Sequence, residues 1–210
     1  MLGRRQCRSS WERLPRARCA AAFAERRHAE QRRSDGTPFI QHPREVATLL
    51  YQAGAAEHVI VAGLLHDVIE KAAVNASELR TQFGSQITRL VLAVSDDDRI
   101  ENYAARKAAL RHQVADAGEE ALTVFAADKL SKFRELERET TINPRARVRS
   151  RARRLQHYQR SLALLQDRLP ESPLVHDLED ELGSFMRARA TTAPDMAPST
   201  GSSFSTASHD

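Results

Sequence analysis

The sequence predicts an all-α chain, and three observations carry that prediction. Ala, Arg and Leu recur throughout while Gly and Pro number only eight each, a balance that favours helix over sheet. Apolar residues repeat at three- and four-residue spacing, as in "REVATLLYQAG" at 44–54, where Val46, Leu49, Leu50 and Ala53 share one face. The stretch "EHVIVAGLLHDVIEK" at 57–71 is apolar nearly all round, as a central helix would be. At 210 residues the chain fits one domain, large enough to bury a core without disulfides or structural metal.

In chain order, "AAFAERRHAEQRR" at 21–33 reads as a helix that the "SDGTPF" turn breaks, because Gly36 and Pro38 punctuate the chain and Asp35 favours a turn. A second helix is expected from Pro43, whose missing N–H suits a first helical position, to Gly54. The third is 57–71. Asn75 or Ser77 can cap a short helix that Gly84 ends. "SQITRLVLAVSDDD" follows as an amphipathic helix, and 101–116 as a polar surface helix. "EEALTVFAADKLSKFRELERET" is a long helix carrying Phe125, Leu130, Phe133 and Leu136 inward, and two more helices follow Pro144. Residues 1–18 read as a basic extension, 19–189 as the folded domain, and 190–210, rich in Ser, Thr, Ala and Pro, as a disordered tail.

The formal charge is +4 and uneven: Arg4, Arg5, Arg8, Arg13, Arg16 and Arg18 meet a single acid, Glu12, at the start. A basic balance suits an anionic small molecule, whereas no stretch interleaves aromatics with basic residues as a single-strand nucleic-acid binder would. Both cysteines, Cys7 and Cys19, lie in the leading segment, and no Cys/His spacing suggests zinc. No apolar run approaches the ~20 residues that span a bilayer, and the start lacks a secretory signal's hydrophobic centre. A cytoplasmic protein is expected.

The chemistry concentrates in "LLHDVIEK" at 64–71. His66 and Asp67 point about 100° apart on a helix, so both meet one ion only if it lies between their directions. Glu70 falls on the same side, four residues beyond His66 and three beyond Asp67. An imidazole and two carboxylates behind Leu64 and Leu65 are costly to desolvate unless metal or hydrogen bonds compensate; a wet helix end with solvated acids is the plain alternative. Two further residues weigh toward metal. His42 precedes Pro43, which favours an extended backbone there, and Asp128 sits among apolar residues where a lone carboxylate is hard to justify.

"DGTPFIQHP" (35–43), "LLHDVIE" (64–70), "ELRTQFG" (78–84) and "AADKL" (126–130) stand in the order and spacing of HD-domain hydrolases. From about residue 20 to 170 the chain resembles the RelA/SpoT homologue type, particularly stand-alone small alarmone hydrolases. The resemblance implies an all-α HD fold in which His42, His66, Asp67 and Asp128 hold one divalent ion, usually Mn²⁺, with other divalent metals compatible with such ligands. It also implies removal of the 3′-pyrophosphate of guanosine tetra- and pentaphosphate by a metal-activated water, with Glu70 as general base. Arg33 would stack on the guanine. Arg154 and Tyr158, in "RLQHY" at 154–158, would meet a phosphate and the ribose or base. Arg106 and Lys107 read as solvated, and His28, His58, His112, His157, His176 and His209 as structural or exposed.

Three positions depart from the family pattern. Lys71 replaces a second acid and is expected either to pair with Asp67 or to reach toward a phosphate. Ser34 replaces a basic residue, and Lys132 replaces an asparagine. Two alternatives therefore stand beside alarmone hydrolysis: a phosphatase acting on another nucleotide such as NADPH, and a nucleotide-sensing HD module with impaired turnover.

Overall fold

The structure is a computed structural model that describes residues 10–144 and 148–191. Among them every regular element is helical, apart from a single antiparallel bridge between Arg32 and Pro38. A 3₁₀ turn at Ser10–Arg13 leads into α1 (Pro15–Arg27), α2 (Gln41–Gln52), α3 (Glu57–Leu65), α4 (Val68–Ala72), α5 (Ala76–Phe83) and α6 (Ser85–Val94). α7 (Tyr103–Ala117), α8 (Glu119–Ile142), α9 (Val148–Arg168) and α10 (Pro173–Thr191) complete the order.

Two helices organise the rest. α3, buried from Val59 to Leu65, packs against α1, α2, α6 and α8. α8 packs against α2, α3, α6, α7, α9 and α10, with Phe125, Leu130 and Phe133 in the core as expected. α2 and α3 meet closely at Gly63. A Cβ built on Gly63 would stand 2.4 Å from Leu50 Cδ1 and 3.2 Å from Val46 Cγ1. A side chain there would oblige Leu50 and Val46 to shift.

Several boundaries differ from the sequence reading, each for a local reason. α1 starts at Pro15, six residues early, and stops at Arg27 because 31–39 folds back on itself. In that turn Arg33 N–H donates to Thr37 O at 2.8 Å and Phe39 N–H to Gln31 O at 3.0 Å, with Gly36 supplying φ +84°. The domain starts before residue 19 as well: Trp11 is buried and its indole N–H donates to Thr48 Oγ1 at 3.0 Å. α2 begins at Gln41, which makes His42 helical rather than extended; its N–H bonds back to Phe39 O at 3.0 Å. Pro43 remains in the first turn, where its missing N–H costs nothing. Asn75 is the cap of α5, accepting from Glu78 N–H at 2.8 Å. The disordered tail expected at 190–210 lies outside the described residues beyond Thr191, as do Cys7 and His209.

The expected single helix over 57–71 is broken at His66–Asp67 into α3 and α4. His66 Nδ1 lies 2.7 Å from Gly63 O, so the imidazole takes a carbonyl that the helix ladder would otherwise use. Asp67, at φ −95° and ψ −3°, turns the chain into α4.

Candidate metal centre

Three segments converge on one point: the first turn of α2, the α3/α4 junction and the middle of α8. His42 Nε2 stands 3.1 Å from His66 Nε2 and 3.1 Å from Asp128 Oδ1. His66 Nε2 is 3.3 Å from Asp128 Oδ1 and 3.3 Å from Asp67 Oδ2, which is 3.5 Å from His42 Nε2. All four side chains are buried. The residues proposed from sequence as ligands therefore do come together.

Tautomers follow from the partners on the far side of each ring. Gly63 O can only accept, so His66 Nδ1 carries the hydrogen. His42 Nδ1 lies 3.0 Å from Ser131 Oγ, which itself donates to Glu45 Oε2 at 2.9 Å, so this Nδ1 also donates. Both Nε2 lone pairs thus face the carboxylates across the cluster. With neither Nε2 protonated, four acceptor atoms would face one another, an arrangement that a shared cation or a proton relieves.

Protonation shows the same demand. Burial opposes charge on His66, yet Asp67 and then Asp128 raise it to about 9. His42 is lowered, by burial first, against the pull of Asp128. Burial disfavours ionised Asp67, but His66 and Lys132 hold it well below the usual carboxylate range. Asp128 is likewise held well below that range, with Lys129 and Lys132 as the main causes offsetting its burial. A divalent ion fits this donor set of two imidazoles and two carboxylates, and Asp67 Oδ2, buried and without a well-aligned hydrogen bond, is the oxygen left for it.

Sequence reasoning did not assign the supporting residues, and Lys132 entered it only as a departure from the family's asparagine. Lys129 is buried with Nζ 2.6 Å from Asp128 Oδ2 and 4.4 Å over the Phe125 ring; burial brings it down to about 8 against the pull of Asp128. Lys132 Nζ is 2.9 Å from Asp128 Oδ1 and 3.7 Å from Asp67 Oδ1. Its spacing of four from Asp128 was the available signal. Ser131 and Glu45 were equally near in sequence to Asp128 and His42.

Glu70 and Lys71 lie beside the cluster. Glu70 Oε2 accepts from Asp96 N–H at 3.4 Å, and Lys71 Nζ is 3.7 Å from Glu70 Oε1 and 5.5 Å from the Phe39 ring centroid. The expected alternative in which Lys71 pairs with Asp67 is therefore not the arrangement found.

A cavity of about 350 Å³ opens between α8, α9 and the 34–35 turn, lined by Ser34, Asp35, Glu135, Glu139 and Arg154 among others. Arg154 Nη1 donates to Glu139 Oε2 at 2.8 Å. Tyr158 is buried, packs edge to face on Phe133 at 5.8 Å, and burial pushes its hydroxyl up to about 12 against the Arg154 charge. Arg33 is placed differently from expectation. Its side chain is only 4% exposed and engages Glu45 at 3.1 Å and Glu135 at 3.2 Å, so it ties α2 to α8.

Fold and cluster together define a helical phosphohydrolase-like metal-site domain, and the HD-domain family profile matches residues 20–157. The chain belongs to the HD-domain family. It is 41% identical over 123 residues to the human guanosine-3′,5′-bis(diphosphate) 3′-pyrophosphohydrolase, covering 57% of this chain and 68% of that protein. A protein of Streptomyces coelicolor named GTP pyrophosphokinase is 35% identical over 118 residues, which are 55% of this chain and 14% of that one. A solved metazoan orthologue of SpoT, described as hydrolysing ppGpp, superposes with a TM-score of 0.69 at 25% identity, covering 83% of this chain and 96% of that one. A crystal structure from Listeria monocytogenes shares the fold at a TM-score of 0.61 and 23% identity, covering 70% and 99%.

Proposed function

We propose that this chain removes the 3′-pyrophosphate from guanosine 3′,5′-bispyrophosphate and its pentaphosphate analogue. The observation that carries the reading is the convergence of His42, His66, Asp67 and Asp128 on one point, with Nε2 of both rings within 3.5 Å of the carboxylate oxygens. Relatives that share the family bear that activity in their names. In this reading the four residues hold one divalent ion, with Mn²⁺ the expected metal. Such an ion would supply electrophilic activation of the phosphate and of a water.

The chain's own residues do the rest. Glu70, with one oxygen held by Asp96 N–H, would take the proton of the attacking water. Lys71, beside Glu70 and exposed, would meet phosphate oxygens from the solvent side. Arg154, which lines the 350 Å³ cavity, and Tyr158, hydrogen-bonded to it, would hold the nucleoside, while Arg33 braces α2 against α8 through Glu45 and Glu135. No helix among the described residues is long and apolar enough to cross a membrane; the cytoplasm is the proposed compartment.

The test is a substrate panel. Purified protein with Mn²⁺ should release pyrophosphate from the alarmone in excess of phosphate from NADPH or nucleoside monophosphates. Phosphate from NADPH alone would reassign the substrate, and tight nucleotide binding without turnover would make the domain a sensor.

A further inference from the structure

Lys132 lies one helical turn beyond Asp128 on α8, so the two side chains leave the same face of the helix. Its ammonium touches Asp128 Oδ1 at 2.9 Å and approaches Asp67 Oδ1 at 3.7 Å. The side chains of Asp67 and Asp128 are 2% and 6% exposed, whereas that of Lys132 is 28% exposed. The two carboxylates are thus nearly sealed, while part of the lysine side chain that contacts them reaches solvent. The lysine's charge also acts on Glu70 and on Tyr158.

We propose that Lys132 works in two positions: as counter-cation to Asp67 and Asp128 when no divalent ion is held, and as a phosphate-binding cation once an ion has taken over those carboxylates. The inference rests on the metal role proposed above. Buried carboxylates without a cation are strongly destabilising; Lys129 pairs with Asp128 Oδ2 at 2.6 Å, whereas Lys132 approaches both Asp128 and Asp67, so Lys132 is the ammonium that serves the pair before metal is met. Lys132 shares Asp128 Oδ1 with the metal position and lies against the other oxygen of Asp67; a divalent ion and an ammonium that close repel each other, so metal entry displaces the lysine and is weakened by that exchange. A four-carbon stem permits the move without backbone change, and an ammonium binds phosphate oxygens as a point charge without a fixed fork geometry. The displaced side chain stays at the solvent-facing mouth, where the substrate's phosphates would lie.

The test compares the full chain with Lys132→Met and Lys132→Arg in three measurements: melting in EDTA, calorimetric titration with Mn²⁺ alone, and titration of the Mn²⁺-loaded protein with inorganic phosphate. Lys132→Met should melt about 4 °C or more below wild type in EDTA, bind Mn²⁺ about tenfold more tightly, and bind phosphate about tenfold more weakly. Lys132→Arg should restore the EDTA melting point and phosphate binding. A lysine that merely packed would weaken metal and phosphate together, and that result overturns the proposal, as does unchanged Mn²⁺ affinity or an unchanged melting point in EDTA. If neither wild type nor variants bind Mn²⁺, the metal reading itself fails.

Discussion

The imidazoles of His42 and His66 meet edge to face, with ring centroids 5.0 Å apart and Nε2 atoms 3.1 Å apart. Residues 24 positions apart in sequence thus present two lone pairs to one point, and each ring is held from behind by a group that fixes its hydrogen on Nδ1. The orientation of His42 depends on Ser131, which links it to Glu45. Ser131→Ala should lower Mn²⁺ affinity about 10- to 100-fold by freeing the ring, while far-UV circular dichroism stays unchanged. Calorimetry checks this, and wild-type affinity in the variant would show that the ring is oriented by packing alone.

The α2–α3 contact at Gly63 positions both histidines. Gly63→Ala drives a methyl group against Leu50, a fully buried side chain. The expected cost is about 1 to 3 kcal/mol, or roughly 2 to 10 °C in melting temperature. A melting point at or above wild type would mean that Leu50 repacks without strain.

His157 is a buried histidine outside the cluster, brought down to about 2 by burial and then by Lys129, Lys107 and Arg111. Its folded value lies below the ~6.5 of an unfolded histidine. The unfolded chain therefore binds the extra proton, and the stability that neutral His157 contributes is complete above about pH 6.5 and declines as pH falls below it. The loss at pH 5 is about 2 kcal/mol relative to pH 8. Urea unfolding at both values should show a difference about that much smaller in His157→Gln than in wild type. Equal pH dependence in the two proteins would place the titration elsewhere.

Lys71 faces Glu70 rather than Asp67. Lys71→Ala should therefore leave Mn²⁺ affinity within about twofold, since an exposed ion pair contributes at most about 1 kcal/mol and acts here on a residue that holds no metal. Any effect should appear in the hydrolysis rate. A tenfold change in metal affinity would contradict this placement.

Helix identity was legible because apolar spacing and turn residues agreed: Asn75, Gly84 and the Phe125–Leu136 face behave as their patterns imply. What sequence could not show were features set by contacts between segments. The end of α1 depends on a turn closed by Thr37 and Gln31, and the break at His66 depends on a side chain competing for Gly63 O. Trp11 looked like part of a basic extension because its partner, Thr48, is 37 residues away. In the site, ligand types at separated positions could be read, but Arg33 could not be distinguished as a strut from a base-stacking arginine, because both uses require only a guanidinium near acids and a turn. Lys132 was visible only as a departure from a pattern, while its place over the carboxylates came from the geometry of α8.

Anomalous diffraction at the manganese edge, from crystals of the full chain grown with Mn²⁺, tests the central claim most directly. The account predicts one strong peak bonded to Nε2 of His42, Nε2 of His66 and the carboxylates of Asp67 and Asp128, absent in Asp128→Ala. A peak held by other residues, or no peak in a crystal whose protein is folded, would contradict it.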